Sequence, residues 1–305
     1  MSLSVKEILN IGRRQLEESD IADAAVDCKL LYCYLMNISS AQLILEYQKV
    51  LPDSLCDEYF SLLDRRSLGV PLQYITGSQE FMGLDFIVNE HVLIPRQDTE
   101  TMVEDAISVI RENQLRGQEM PIKKKREYEV LDLCCGSGAI GLSIASLCPN
   151  TKVVCSDISR DALDVARRNA EKFGVSKKVS FECGNLLMPF KGRFRNRKFD
   201  MIISNPPYIK TGVIPTLQRE VRDYEPMGAL DGGADGLDFY RNIAGDAPDC
   251  LKKDGVLFLE IGYDQREAVE ELMEKTGRLD HIRGFKDLAG LDRIVTAVLA
   301  GKKKG

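Results

Sequence analysis

The chain has 305 residues, 44% of them hydrophobic and 29% charged, with 11 prolines, which suits one large domain or two smaller ones and argues against global disorder. Lys and Arg total 41 against 47 Asp and Glu, a formal charge of -6, so the basic excess of a protein that grips phosphate backbones is missing and direct nucleic-acid binding is disfavoured. Nine cysteines include no C-x-x-C pair, and His91 and His281 are the two histidines, a composition that argues against a disulfide framework, a structural zinc site or any other metal centre.

The amino terminus shows neither the apolar stretch of a secretory signal nor a transit-peptide pattern, and no uncharged run is continuously apolar enough for a membrane span. The expectation is a soluble, reduced, cytoplasmic protein. From Val5 to about Thr76, apolar residues recur at helical spacing, as in Val5, Ile8, Leu9 and Leu16 and again in Val26, Leu30, Leu31 and Tyr34. Leu51-Pro52-Asp53 interrupts the pattern, with Asp53 placed to cap the next helix. Residues 1–77 therefore read as a small all-helical domain. Glu80 to Ile87, with Met82-Gly83 at its centre, suits a β-hairpin in a linker over 78–96. Asp98 to about Arg116 is a further helix, and the run from Pro121 to Arg126 a solvated connection.

The texture then changes to short β-rich runs alternating with helical ones. Strands are expected at Glu129–Leu133, Lys152–Ser156, Val179–Glu182, Phe199–Ser204, Gly255–Glu260, Leu279–Ile282 and Arg293–Leu299. Crossover-length segments separate the first five, which predicts a parallel, doubly wound sheet within residues 97–305. The last two strands are joined too closely for a crossover and should pair antiparallel. Ser159 is positioned to cap one helix, Asp264 with Glu267 forms a capping-box pattern for another, and Gly277 supplies a stop.

Val130 to Gly141 runs as an apolar strand, then a turn Cys134-Cys135-Gly136-Ser137-Gly138, then a helix. Such a turn lets a ligand approach backbone N–H groups that a Cβ would screen. Asp157 ends the following strand about 20 residues further on, where a carboxylate can accept both hydroxyls of a ribose. Gly136, Gly138 and Gly141 satisfy G-x-G-x-x-G, but the second half of the sheet repeats no such loop, which favours one nucleoside over a dinucleotide.

Phe199 to Ser204 is an apolar strand that ends in Asn205-Pro206-Pro207-Tyr208. Two prolines cannot continue a ladder, so the chain leaves the sheet at its carboxyl edge, where open α/β sheets place ligands. A planar –NH2 group is a poor nucleophile. Two acceptors, the Asn205 side-chain oxygen and the Pro206 carbonyl, can hold its hydrogens and aim its nitrogen, while Pro207 restrains Pro206 and Tyr208 supplies a flat wall. A side-chain amide and an exocyclic base amine fit this element equally well. Binding without catalysis is a third reading, which the complete Asn205 motif opposes.

With these elements in hand, the chain resembles the class I, Rossmann-like S-adenosylmethionine-dependent methyltransferases that act on amide or exocyclic amine nitrogen. Further segments resemble the HemK/PrmC family of peptide chain release factor N5-glutamine methyltransferases: Gly69-Val70-Pro71-Leu72-Gln73-Tyr74-Ile75-Thr76-Gly77, Glu80-Phe81-Met82-Gly83-Leu84, Leu93-Ile94-Pro95-Arg96 with Thr99-Glu100, Glu225-Pro226, and Gly232 through Leu237. The resemblance spans nearly the whole chain. It implies a seven-stranded, mostly parallel sheet with an antiparallel last strand, plus a helical amino-terminal domain that helps dock a class-1 release factor. It further implies that Cys134, Cys135, Gly136, Ser137 and Gly138 line the methionine and ribose of S-adenosylmethionine, Asp157 the ribose, and Asn185 and Leu186 the adenine. Asn205, Pro206, Pro207 and Tyr208 would grip the glutamine of a Gly-Gly-Gln motif, with Asn205 also at the cofactor, in a protein expected to be monomeric. Cys134-Cys135 stands where Gly-Thr is usual, which puts a non-glycine residue at a left-handed turn position.

Outside these motifs, Arg96 reads either as an active-site contact or as an ion-paired surface residue. The long segment from Ser204 to Gly236 suggests a substrate-facing wall around Tyr224, Glu225 and Pro226. Asp231 to Gly236 lacks the ligand spacing of a calcium loop, and the lysines at 302–304 read as a solvated end.

Overall fold

The computed structural model describes residues 3–116, 127–191 and 197–301; the basic run at 121–126 and the lysines at 302–304 lie outside the described residues. The chain groups into two compact units, Met1–Ser78 with Leu217–Tyr224, and Gln79–Thr216 with Glu225–Gly305.

The first unit holds α1 (Val5–Glu18), α2 (Ala24–Met36), α3 (Ser40–Glu46), α4 (Asp53–Ser67) and α5 (Leu72–Thr76). Capping boxes start two of them, Ser4 with Glu7 at α1 and Ser39 with Gln42 at α3. Asp53 does not cap α4: Pro52 occupies the N-cap, and Asp53 lies in the first turn, where its charge complements the helix dipole. Ile8, Leu16, Leu31, Tyr59 and Leu63 fill the core. Helices α1 and α4 approach closely at Gly12, where a Cβ would stand 2.7 Å from the Tyr59 hydroxyl. The segment Leu217–Tyr224, read from sequence as part of the sheet domain, groups with this unit. Arg66 bonds Asp27 at 2.7 Å and Glu220 at 2.8 Å, and the Tyr224 hydroxyl donates to the Leu68 carbonyl at 2.8 Å.

The second unit opens inside a hairpin, β1 (Ser78–Phe81, its first residue closing the first unit) and β2 (Leu84–Ile87). Met82 at φ +53° and Gly83 at φ +73° make its two-residue turn, the sign that matches strand twist. After α6 (Asp98–Arg116) the sheet strands are β3 (Tyr128–Leu133), β4 (Thr151–Asp157), β5 (Val179–Cys183), β6 (Phe199–Ser204), β7 (Leu251–Glu260), β8 (Leu279–Lys286) and β9 (Asp292–Leu299). Their order is β5-β4-β3-β6-β7-β9-β8. The first five pair in parallel, and β9 runs antiparallel between β7 and β8.

Successive strand side chains point to opposite faces. Val130, Val153 and Ile203 join one core with α6, α7 (Ala139–Leu147) and α8 (Arg160–Lys172). Leu131, Val154 and Ile202 join the other with α11 (Asp238–Cys250) and α12 (Arg266–Lys275); the short α9 (Arg219–Tyr224) and α10 (Met227–Leu230) precede them. Ser159 caps α8 as expected, through the N–H of Ala162 at 3.2 Å. Asp264 and Glu267 form no capping box. Helix α12 begins at Arg266 with Gln265 as N-cap, Asp264 pairs instead with Lys210 at 3.2 Å, and Gly277 follows the helix at φ +60°. Strand order reverses at β3, which opens a crevice above the carboxyl ends of β3 and β6. Among the described residues, no single helix is long and apolar enough to cross a membrane.

Candidate active site

A cavity of about 470 Å³ occupies that crevice, a size suited to a nucleoside-bearing ligand. Of the residues singled out from sequence, Cys134, Gly136, Asp157, Asn185, Leu186, Asn205 and Pro207 line it. Cys135 and Ser137 are buried, and these two, Gly138, Pro206 and Tyr208 are not among the lining residues. Sequence reasoning did not single out Ile158, which extends the wall beyond Asp157, or Phe239 near the start of α11; a bulky apolar residue directly after the strand-ending acid was the available signal.

The glycine turn is shaped by left-handed backbone at Cys134 (φ +59°), Gly136 (φ +53°) and Gly138 (φ +80°). At Cys134 this conformation costs roughly 1–2 kcal/mol, because its Cβ crowds the following carbonyl. A Cβ built on Gly136 meets nothing within 4 Å, so the backbone there faces open space. The Asp157 carboxylate accepts the N–H of Gly136 at 2.9 Å and that of Ser159 at 2.9 Å. Burial nevertheless raises its pKa above the ordinary value, outweighing those backbone bonds. Beneath the turn, Asp132 accepts the N–H of Gly141 at 2.8 Å, and burial pushes its pKa up to about 8. Burial also raises the Cys134 thiol, so it is a neutral group in the wall.

On the other side, the Ser204 hydroxyl donates to the Leu133 carbonyl at 2.6 Å and locks β6 to β3 where the Asn205 element begins. Asn205 Nδ2 donates to the Thr99 hydroxyl at 3.4 Å. Gln265 Nε2 donates to the Tyr208 carbonyl at 3.0 Å, fixing the far end of the motif. Glu260, at the end of β7, is 1% exposed and raised to about 7 by burial, beside the hydroxyls of Thr99 and Tyr208. Its sequence signal was a lone acid closing an apolar strand.

Arg96 is ion-paired with buried Glu225. Of the expected wall, Pro226 lines the cavity with Gly228 and Ala229, while Tyr224 bonds within the helical unit. Among the described residues, no group of His, Cys, Asp or Glu is arranged to hold a metal, and the nine cysteines are free.

Two family models match the chain, the PrmC N-terminal domain over residues 7–77 and the methyltransferase small domain over 118–219. Its fold is similar to the hMettl16 catalytic domain solved with a MAT2A 3′UTR hairpin, with a TM-score of 0.54 at 13% identity, covering 84% of this chain and 86% of that one. Fold and site together define a class I methyltransferase with a helical amino-terminal unit. Release factor glutamine methyltransferase of Clostridium acetobutylicum is 38% identical over 299 residues, 98% of this chain and 100% of the relative. That of Moorella thermoacetica is 37% identical, covering 97% and 98%, and that of Geobacter sulfurreducens 37%, covering 96% and 95%. The chain belongs to the release factor glutamine methyltransferase family.

Proposed function

We propose that this enzyme transfers a methyl group from S-adenosylmethionine to the side-chain amide nitrogen (N5) of the glutamine in the Gly-Gly-Gln motif of class-1 peptide chain release factors, yielding S-adenosylhomocysteine and modulating translation termination. The carrying observation is that one cavity is lined by both Asp157 and Asn205, a nucleoside-holding acid and an amide-holding carboxamide. The relatives' names support the choice of substrate.

The residues fit this cofactor. Asp157 supplies carboxylate oxygens for ribose hydroxyls, Gly136 leaves its backbone open to close approach, and among the described residues no lysine or arginine lines the cavity to repel a cation. When bound, S-adenosylmethionine supplies a methyl group made electrophilic by its sulfonium. Of the turn Cys134 to Gly138, Cys134 and Gly136 line the cavity and would cover its methionine and ribose portion, and Asn185 and Leu186 would border its adenine.

Asn205 Oδ1 and the Pro206 carbonyl accept the two hydrogens of the glutamine amide and orient its nitrogen for in-line attack. Pro207 restricts Pro206 to an extended conformation, which keeps that carbonyl in place. Tyr208, which does not itself line this cavity, would supply the flat wall on the substrate side of the motif. Orientation and exclusion of water carry the acceleration, and the surplus proton leaves after attack, so no strong base is required. The helical unit contributes to docking the release factor.

The test is peptide mass mapping of a class-1 release factor after incubation with the enzyme and S-adenosylmethionine, alongside a factor whose Gly-Gly-Gln glutamine is replaced. One methyl on that glutamine, absent from the control, establishes reaction and substrate. No methyl despite cofactor binding overturns the release-factor assignment.

A further inference from the structure

Ser204 and Leu259 are the last paired residues of β6 and β7, so Asn205 and Glu260 leave these adjacent strands side by side. Thr99, 4% exposed in the first turn of α6, meets both: it accepts from Asn205 Nδ2 at 3.4 Å and stands beside the Glu260 carboxylate. Glu260 Oε2 is buried with no hydrogen-bond partner, an arrangement that costs stability and calls for a functional reason.

We propose that Glu260 is a positioning residue which, through the single hydroxyl proton of Thr99, sets which end of the Asn205 carboxamide faces the substrate. The inference rests on the reading of Asn205 as the amide-holding group.

An ionised carboxylate only accepts, so it takes the Thr99 proton and leaves Thr99 Oγ1 as an acceptor. The –NH2 of Asn205 must then face Thr99, as observed, and Oδ1 is the atom left to accept a substrate –NH2. Protonating Glu260 reverses the chain of donors. The carboxyl O–H donates to Thr99, the freed Thr99 proton is offered to Asn205 Oδ1, and the carboxamide turns its –NH2 toward a substrate that also presents –NH2. That arrangement cannot hold the nucleophile.

The groups facing Glu260 place this change near pH 7. Burial raises it, Thr99 and the Arg293 charge of β9 lower it, Asp98 of α6 raises it, and Tyr208 lowers it. Arg293 shares its charge with Asp98 and Asp287, each at 3.1 Å, and Tyr240 of α11 donates to the Glu260 backbone carbonyl at 2.9 Å. The partly shared Arg293 charge leaves burial dominant, with the midpoint at about 7.

The full chain, labelled with ¹⁵N-asparagine, gives a readout that needs no substrate. The Asn205 side-chain resonances, assigned by their loss in Asn205→Ala, should titrate with a midpoint near pH 7 in the wild type and become pH-independent in Glu260→Gln. In parallel, kcat for release-factor methylation should fall about tenfold per pH unit below that midpoint. Thr99→Val should lose at least about tenfold in kcat together with this acid limb, and Thr99→Ser should restore both, with KM for S-adenosylmethionine little changed throughout. Glu260→Gln keeping the wild-type rate and acid limb, or Asn205 resonances that ignore pH in the wild type, overturns the proposal. Titrating resonances without any methylation of the release factor would uphold the relay and sink the substrate assignment.

Discussion

Asp157 holds the glycine turn as well as facing the cavity: one carboxylate oxygen accepts the Gly136 N–H at 2.9 Å, tying the end of β4 to the turn after β3. If Asp157 holds the ribose as proposed, loop order and cofactor affinity share one side chain. Asp157→Asn keeps an oxygen for one of these N–H groups but removes the charge and half of the acceptor capacity toward a ribose. Cofactor binding should weaken by roughly 10- to 100-fold, the worth of a charge-assisted hydrogen bond. Calorimetric titration with S-adenosylmethionine measures this, and unchanged affinity would remove Asp157 from the ribose.

Asn205→Ala separates alignment from binding. The carboxamide lines the same cavity as Asp157, yet its proposed work is to hold the acceptor amide. Loss of that orientation should lower kcat by at least about 100-fold while cofactor affinity changes only a few-fold. Single-turnover methylation beside a binding titration distinguishes the two. Equal losses in both would place Asn205 at the cofactor alone.

The glycine turn, Asp157 and the Asn205 element were legible in the sequence because each is a local pattern: residue type and spacing fix the backbone, and a parallel sheet brings strand ends to one edge. Glu260 shows only a lone acid at the end of an apolar strand, and Thr99 belongs to a family-like segment that gives no sign of its partner. They lie far apart in the chain and meet because α6 packs beside β7, so only the fold makes them neighbours of Asn205. The same holds for Leu217–Tyr224, a short polar helix whose membership of the helical unit is expressed through Glu220 and Tyr224 reaching residues about 150 positions earlier. Asp264 misled for the opposite reason. Its local pattern fits a capping box, but Lys210 takes its carboxylate and Gln265 Oε1 accepts the Gly262 N–H at 2.9 Å, so the N-cap falls on Gln265 and the helix starts one residue later.

That helical unit can be tested at Arg66, whose guanidinium, 7% exposed, joins Asp27, Glu220 and the Val70 carbonyl. Burial raises Asp27 above the ordinary carboxylate range even though Arg66 opposes the shift. Arg66→Met keeps the apolar stem but strands a buried acid, at a cost of about 3 kcal/mol. Asp27→Asn in that background should recover part of the loss. Urea unfolding followed by circular dichroism reads both, and an unshifted midpoint in Arg66→Met would mean that solvent already screens the pair.

Asp132 gives the sharpest pH dependence. Its pKa rises from 3.8 to about 8 because it is fully buried, with Oδ1 unpartnered and the Asp157 charge opposing ionisation, while the Gly141 N–H bond at 2.8 Å only partly offsets this. A folded-state pKa above the unfolded one means that the native protein keeps a proton the unfolded chain releases. The stabilisation is complete below about pH 4 and is lost as pH rises toward 8. Asp132→Asn carries no such proton, while its side-chain oxygen can still accept from Gly141. Its stability relative to wild type should therefore climb by more than about 1.4 kcal/mol, the worth of one pKa unit, between pH 4.5 and 8, and then level off. Urea midpoints at those two pH values decide the matter: curves that stay parallel would mean that water or a proton reaches Asp132 in the folded protein as easily as in the unfolded chain.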